Sequence, residues 1–153
     1  MIPDKFAAIV IGGGPTGLTA AIALAAGGVS TALVAKRTSR PDNRTTALLA
    51  GSVTALETLG VWELCAGQSA PLKIMRIVDD TGRLWRAPEV KFDAAEIGLD
   101  AFGYNIANRD LVVALEARAR GGESLRLIDD EVTAIEPYDT LVTVTLKSGK
   151  ILQ

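Results

Sequence analysis

Three glycines near the amino terminus have the spacing that a nucleotide pyrophosphate requires. They are Gly12, Gly14 and Gly17, in a run that also contains Pro15 and Thr16 and that follows an apolar segment. In a turn between a strand and a helix, the first glycine permits a tight turn and the second lets a pyrophosphate approach the backbone. The third allows the helix to press on the strand. Because free N–H groups at a helix start attract phosphates, these residues predict a dinucleotide site.

The residues at the end of the second predicted strand bear on which dinucleotide fits. Folds that bind an unphosphorylated ribose place an acidic residue there, whereas this chain has Ala35, Lys36 and Arg37. A small residue followed by two cations suits the 2′-phosphate of NADP, because charge-assisted hydrogen bonds hold a phosphate well. Two solvated loop cations would give the same sequence. Residue chemistry alone therefore leaves FAD, NAD and NADP open, with a slight preference for NADP.

A glycine turn of this kind needs a strand before it and a helix and a second strand after it. Hydropathy predicts strands over residues 6–11 and 30–35, with an alanine-rich helix over residues 18–26 between them. This βαβ unit is the start of a doubly wound sheet. We therefore expect an α/β protein with a Rossmann-like FAD/NAD(P)-binding fold in three layers.

The rest of the chain has weaker patterns of helices and strands. The prediction is a loop over 36–45, a helix over 47–59 and a hairpin of 72–79 with 83–87. An irregular segment over 87–104 follows, and then a helix over 109–120 that is capped by Asn108. The last predicted elements are strands over 125–135, 141–146 and from 150 onward, with a turn at Ser148-Gly149. The chain stops within the last of these strands. We therefore expect residues 1–153 to be the N-terminal part of a longer protein.

Composition excludes several kinds of chemistry. The chain has no histidine, so histidine triads, histidine metal sites and imidazole acid–base catalysis are absent. Its one cysteine, Cys65, leaves almost no route to a zinc site and is predicted to be a small buried apolar residue. Any redox reaction would therefore depend on a cofactor, and we assign no catalytic and no metal-binding residue.

Charge and hydropathy indicate where such a chain would work. The formal net charge of −2 gives no reason to expect a nucleic acid partner. No apolar run is long and uniform enough to span a bilayer, and residues 1–6 leave no room for a secretory signal before the first strand. The sequence predicts a cytoplasmic protein, and it indicates no oligomeric state.

Two further segments give the sequence a resemblance to a known family. The segments Asp42-Asn-Arg-Thr-Thr-Ala-Leu-Leu-Ala-Gly-Ser52 and Leu59-Gly-Val-Trp62, together with the glycine turn, resemble the FAD-dependent aromatic-ring monooxygenases. The resemblance is to the ubiquinone-biosynthesis (2-polyprenylphenol) hydroxylase type. The segments 103–111 and 132–136 occur in the family's order. The resemblance covers essentially the whole chain, but only the N-terminal portion of the family's length.

The resemblance implies a cofactor, a reductant and a reaction. FAD would be reduced by NADPH or NADH and would then use dioxygen to hydroxylate a small aromatic substrate. Because the cofactor supplies the reactivity, this chemistry suits a chain without histidine. A polyprenyl substrate would also imply peripheral contact with the inner membrane. Residues 72–106 would belong to the β-sheet of a substrate domain, and the chain by itself would be inactive.

The resemblance also implies roles for individual residues. The glycine turn would hold the FAD pyrophosphate, and Arg44 would reach the FAD phosphates or the ribitol. Asn108 would lie on the flavin side of the site, where many relatives have Arg or Gln. The backbone of Val132 would lie beside the adenine.

The resemblance does not extend to the ribose contact. Ala35 stands where relatives have Glu, and Lys36 or Arg37 would compensate. Two alternatives therefore stay open: another FAD- or NADP-dependent oxidoreductase, such as a polyprenyl reductase, and a non-catalytic dinucleotide-binding module.

Overall fold

The structure is a computed structural model that describes residues 3–36 and 42–153. The strands of the described residues are β1 (Ala8–Ile11), β2 (Thr31–Val34), β3 (Thr45–Leu49), β4 (Ser69–Pro71), β5 (Ile74–Ile77), β6 (Val90–Asp93), β7 (Gly103–Ala107), β8 (Leu125–Ile128), β9 (Val132–Pro137), β10 (Val142–Leu146) and β11 (Ile151–Leu152). The α-helices are α1 (Pro15–Ala26), α2 (Ala50–Thr58) and α3 (Asn108–Arg120). Short 3₁₀ helices lie at 62–64, 66–68 and 94–97.

Strand β2 is the middle strand of a parallel sheet with the order β1-β2-β8. All four of its residues are buried. Successive side chains of a strand point to opposite faces, so a strand that is covered on both faces carries apolar side chains on both, here Ala32, Leu33 and Val34. This explains why residues 31–34 lack the alternating pattern of a half-exposed strand. The buried hydroxyl of Thr31 is satisfied by donating to the Val29 carbonyl oxygen.

The central sheet is covered by helices on one face and by strands on the other. Leu33 packs into a cluster that contains α1, α2 and α3, whereas Ala32 and Val34 pack against Val144 and Leu146. Val144 and Leu146 belong to β10, the middle strand of an antiparallel sheet with the order β11-β10-β9. The three-layer α/β prediction is therefore confirmed.

A further antiparallel sheet has the order β3-β7-β4, and it corrects the prediction for residues 47–59. Residues 45–49 are strand β3, and helix α2 begins only at Ala50. The pairing with β7 needs a very close approach, because a Cβ on Gly103 would lie 2.0 Å from the Leu48 carbonyl oxygen. The predicted helix is therefore confirmed over Ala50–Thr58, and the prediction was wrong only for residues 47–49, where a distant partner stabilises a strand.

The predicted hairpin also pairs differently. Strand β5 pairs with β6, not with residues 83–87, so the segment predicted to be irregular contains β6 and the start of β7. Arg76 and Glu89 form a two-pronged ion pair at 2.6 and 2.8 Å between the two sides of this longer connection. Asp79 accepts from the backbone N–H groups of Thr81 and Ala87. These contacts form within the loop, where hydropathy carries no signal.

The carboxyl-terminal strands are close to the prediction, except that one predicted strand is divided into two. Residues 125–135 form two strands in different sheets, β8 and β9, which are separated by Asp129, Asp130 and Glu131. The hairpin at Ser148-Gly149 is confirmed, with Gly149 at φ +85°.

Cys65 is 1 % exposed within the main apolar cluster, as predicted, and burial raises the pKa of its thiol.

Helix α3 offers a direct test of the main core. Leu115 is completely buried, whereas Val113 on the same helix is 67 % exposed. We expect Leu115→Ala to lower the free energy of unfolding by about 3 kcal/mol, because it leaves a cavity between packed side chains. Val113→Ala should change it by less than about 0.5 kcal/mol. Urea unfolding followed by circular dichroism would measure both, and equal effects would contradict the packing described here.

Candidate dinucleotide-binding site

The glycine turn lies between β1 and α1, where the sequence predicts it. Gly12 has φ +115°, which glycine adopts without steric cost, and its N–H donates to the Val34 carbonyl oxygen at 2.9 Å. Gly14 is the N-cap of α1, and Pro15 is the first helical residue, where a missing N–H costs nothing. The turn is thus attached to the end of the central strand.

Gly17 and Gly14 lack a side chain for different reasons. A Cβ on Gly17 would lie 2.0 Å from the Gly12 carbonyl oxygen, so this glycine lets the helix pack on the turn. Among the described residues, a Cβ on Gly14 would meet no atom within 4 Å. The space beside Gly14 is therefore open, and it lies at the start of the helix where a phosphate would bind.

The start of α1 carries uncompensated positive potential. Within residues 3–36 and 42–153 no side chain caps it, and its first turn contains no acidic residue. The unpaired N–H groups of a first turn and the helix dipole attract anions. Thr16 belongs to this turn, so the geometry suits a phosphate at the residues that the sequence predicts.

A cleft of about 320 Å³ lies beside the turn and brings several predicted residues together. Of the predicted residues, it is lined by Gly12, Ala35, Lys36 and Val132. Ala35 packs tightly on the turn, because a Cβ on Gly13 would lie 2.8 Å from the Ala35 Cβ. The cleft has the place and the size to take part of a nucleotide next to the phosphate site.

Acidic residues of the β8–β9 connection line the same cleft, and sequence reasoning missed them. Glu131 lies 3.8 Å from Lys36 Nζ and accepts a hydrogen bond from Lys147 Nζ at 3.2 Å. A hydrogen bond from Ser148 and the Glu131 N–H hold the pKa of Asp130 below its usual value. The available signal was a run of three acids, residues 129–131, that interrupts the apolar pattern of the predicted strand 125–135.

Arg44 and Asn108 form a second cluster with two residues that were not predicted, Asp42 and Thr46. Arg44 donates to both carboxylate oxygens of Asp42 at 2.9 and 2.8 Å. Asn108 donates to Asp42 at 3.0 Å and accepts from the Thr46 hydroxyl. Asp42 is part of the segment that carries the family resemblance, and its place two residues before Arg44 was the signal for its role.

The prediction that Asn108 caps α3 is wrong. The N-cap is Ala107, whereas Asn108 is the first helical residue and its side chain makes no cap hydrogen bond. Asn108 is 8 % exposed, and its amide is used by Asp42 and Thr46. A buried amide needs hydrogen-bond partners, and here a loop and a strand provide them.

Asp42 is the most strongly shifted carboxyl group of this cluster. Hydrogen bonds from the Arg44 side chain, then from Asn108 and from the Arg44 N–H, hold the pKa of Asp42 far below its ordinary value of 3.8. The same pairing raises the pKa of Arg44. Both groups are therefore charged at neutral pH. Arg37, the remaining predicted residue, lies outside the described residues.

Comparisons with known proteins agree with the predicted family. The sequence matches the family described as FAD binding domain over residues 5–147. It is 29 % identical to 3-demethoxyubiquinol 3-hydroxylase of Escherichia coli over 153 residues, which cover 94 % of this chain and 38 % of that protein. It is 30 % identical to ubiquinone hydroxylase UbiL of Rhodospirillum rubrum, over 98 % of this chain and 36 % of that protein. The chain thus spans less than two fifths of the length of either relative.

Solved structures support the fold. The p-nitrophenol 4-monooxygenase PnpA from Pseudomonas putida superimposes with a TM-score of 0.78 at 21 % identity, over 99 % of this chain and 39 % of that one. The flavin-dependent monooxygenase PieE gives a TM-score of 0.74 at 21 % identity, over 99 % and 29 %. None of the helices in the described ranges is long and apolar enough to cross a membrane.

The contact between Gly17 and Gly12 generates a prediction about stability. We expect Gly17→Ala to lower the free energy of unfolding by at least about 2 kcal/mol, because the methyl group has no room. Gly51→Ala is the matched control, since Gly51 is a helical glycine whose Cβ would meet nothing within 4 Å. That variant should be unchanged or more stable by up to about 1 kcal/mol. Denaturant unfolding measures both, and a neutral Gly17→Ala would contradict the geometry.

The low pKa of Asp42 generates a prediction about pH. The folded state binds a proton at this carboxylate less readily than the unfolded state does. The stabilisation by ionised Asp42 is therefore present above pH 3.8 and is lost as the pH falls below that value. We expect Asp42→Asn to be less stable than the unsubstituted chain at neutral pH, and the difference to shrink in acid. A difference that is the same at both pH values in denaturant unfolding would refute this prediction.

Proposed function

The chain belongs to the family of FAD-binding domains, and on this premise we propose that it is the N-terminal FAD-binding part of a flavin-dependent hydroxylase. The full protein would use NADPH or NADH as reductant and dioxygen as oxidant. Its substrate would be an aromatic, polyprenylphenol-like compound of ubiquinone biosynthesis. The names of the two curated relatives support this substrate class, because both are hydroxylases of ubiquinone or its precursors.

One observation supports the proposal most directly: among the described residues there is open space at Gly14, in front of a helix whose first turn contains no acidic residue. FAD carries a pyrophosphate, and N–H groups at a helix start bind such an anion. Gly12 and Gly17 are used for the shape of the turn, which leaves Gly14 as the position where the ligand approaches. Gly14 itself has φ −77°, which any residue adopts, so neither backbone strain nor packing among the described residues accounts for a glycine at this position.

The other residues of the site have consistent roles in this proposal. Ala35, Lys36 and Glu131 would surround the adenosine end in the cleft, with the Val132 backbone beside the adenine. Arg44, which is bound by Asp42 and through it connected to Asn108, would bind the FAD phosphates or the ribitol. When bound, FAD supplies the redox chemistry and the activation of dioxygen. The chain's own residues bind and orient it.

The charge of the cleft favours FAD over NADP. Lys36 faces Glu131 at 3.8 Å, and Asp130 lines the same cleft. A 2′-phosphate would meet these carboxylates, whereas the free ribose hydroxyls of FAD can donate hydrogen bonds to them. Asp130 and Glu131, from another part of the chain, therefore oppose the slight preference for NADP that Ala35 and Lys36 suggest.

Residues 72–106 would contribute to a substrate-binding sheet. Strands β5 and β6 form a separate two-stranded sheet with exposed apolar side chains, among them Ile74, Met75 and Phe92. Such a surface suits an apolar ligand or another part of a larger protein. A polyprenyl substrate resides in a bilayer, so peripheral membrane contact is part of the proposal.

Gly14→Ala tests the proposal. Because a Cβ at this position meets no protein atom, the free energy of unfolding should stay within about 0.5 kcal/mol. The methyl group should occupy the space of the pyrophosphate and raise the dissociation constant for FAD about tenfold or more. Titration followed by quenching of flavin fluorescence would measure the change.

Two controls make this test specific. Gly51→Ala, at an open position of α2, should leave FAD affinity unchanged. NADP should compete with FAD poorly, because of the carboxylates in the cleft. Tighter binding of NADP than of FAD would favour another class of oxidoreductase, and binding of neither would favour a glycine turn without a ligand.

A further inference from the structure

Arg44 is held in one orientation by the protein itself. Its Nε and Nη2 groups donate to the two oxygens of Asp42 at 2.9 and 2.8 Å, and its backbone N–H donates to Asp42 Oδ1 at 3.0 Å. A guanidinium has five N–H donors in a planar fork. Among the described residues, no hydrogen bond engages the other edge, which carries Nη1, and the side chain is 82 % exposed. A ligand can therefore reach that edge without breaking the pair.

Asp42 is in turn held by groups that belong to the folded core. Asn108 Nδ2 donates to Asp42 Oδ2 at 3.0 Å, and the Thr46 hydroxyl donates to Asn108 Oδ1. Asn108 is 8 % exposed, and its backbone N–H donates to the Arg44 carbonyl oxygen at 2.9 Å. The hydrogen bonds thus connect β3 and the start of α3 to an exposed guanidinium.

We infer that Asp42 is a positioning residue that, supported by Asn108, orients the free edge of Arg44 toward a phosphate of the bound cofactor. The inference rests on the proposed FAD-binding function. A long side chain loses rotamer freedom when it binds a ligand. Because Asp42 has already ordered Arg44, binding of the phosphate loses less entropy.

An opposite effect of Asp42 also follows from its charge. A carboxylate near a phosphate repels it, and it reduces the net charge that Arg44 presents. Two features make the repulsion the smaller effect. Both oxygens of Asp42 already accept hydrogen bonds from Arg44 and Asn108, and water screens charges around a side chain that is 34 % exposed. Water does not cancel the benefit of a preordered side chain, so removal of the carboxylate should weaken binding.

A double-mutant cycle tests the inference. The dissociation constant for FAD is measured for the 153-residue chain and for Asp42→Asn, Arg44→Gln and the double variant. We expect Asp42→Asn to weaken binding about fivefold and Arg44→Gln about tenfold. In the Arg44→Gln background, Asp42→Asn should have no further effect, because Asp42 acts through Arg44. A residue that only stabilised the fold would weaken binding equally in both backgrounds.

Two further variants serve as control and as a milder perturbation. Glu89→Gln breaks the Arg76–Glu89 pair, which has similar geometry on the β5–β6 sheet, and it should not change FAD affinity. Thr46→Val removes the hydroxyl that donates to Asn108, without touching Asp42 or Arg44. It should weaken binding about twofold, and only when Arg44 is present. This variant keeps the test decisive if Asp42→Asn does not fold, which circular dichroism would reveal.

Three results would overturn the inference. Tighter FAD binding by Asp42→Asn would mean that the charge of Asp42 outweighs its ordering effect. A loss that persists in the Arg44→Gln background would mean that Asp42 supports the fold only. Unchanged binding in both Asp42→Asn and Thr46→Val would mean that Arg44 needs no positioning. If the unsubstituted chain binds no FAD, the proposed function itself fails, and this outcome is distinct from the other three.

Discussion

The burial of strand β2 on both faces is the constraint that fixes the geometry of the candidate site. Side chains of β2 alternate between the helical cluster and the cluster under the antiparallel sheet, so the strand cannot shift without exposing one of them. The carboxyl end of β2 is hydrogen-bonded to the ends of both neighbouring strands. The Val34 carbonyl oxygen accepts from the Gly12 N–H, and the Ala35 N–H donates to the Ile128 carbonyl oxygen. The glycine turn and the start of the β8–β9 connection are therefore held at one edge of the sheet. Ligands of open α/β sheets bind at this edge.

Two cations of the candidate site are paired with carboxylates of the same chain. Lys36 faces Glu131, and Arg44 is bound by Asp42. Exposed pairs of this kind contribute little to stability in water. Their effect is on orientation, because a carboxylate lies beside each of these two cations. The unpaired N–H groups at the start of α1 and the free edge of Arg44 are then two groups that can donate to a phosphate.

The segments that carry the family resemblance divide between packing and the site. Trp62 is 8 % exposed, and its ring centroid lies 5.2 Å from that of Tyr104, so the Leu59–Trp62 segment contributes to the core. Asp42 and Arg44 lie on the exposed side of the neighbouring segment and pair with each other. Family patterns therefore combine residues that fold the chain with residues that can meet a ligand, and burial separates the two.

The sequence by itself determined the βαβ unit, the positions of the three glycines and the three-layer class. The βαβ unit and its glycine turn depend on contacts between residues that are close in the chain, such as the approach of Gly17 to Gly12. The three-layer class followed from the βαβ pattern, although its third layer packs through distant residues such as Ala32 and Val144. Strand β3 and the pairing of β5 with β6 escaped prediction, because their hydrogen-bond partners are distant in sequence. The hydrogen bonds of the Asn108 side chain escaped prediction for the same reason, since its partners Asp42 and Thr46 lie more than sixty residues away. Only the tertiary structure brought Glu131 to Lys36 and Asn108 to Asp42, because a local pattern carries no information about which distant polar groups satisfy one another.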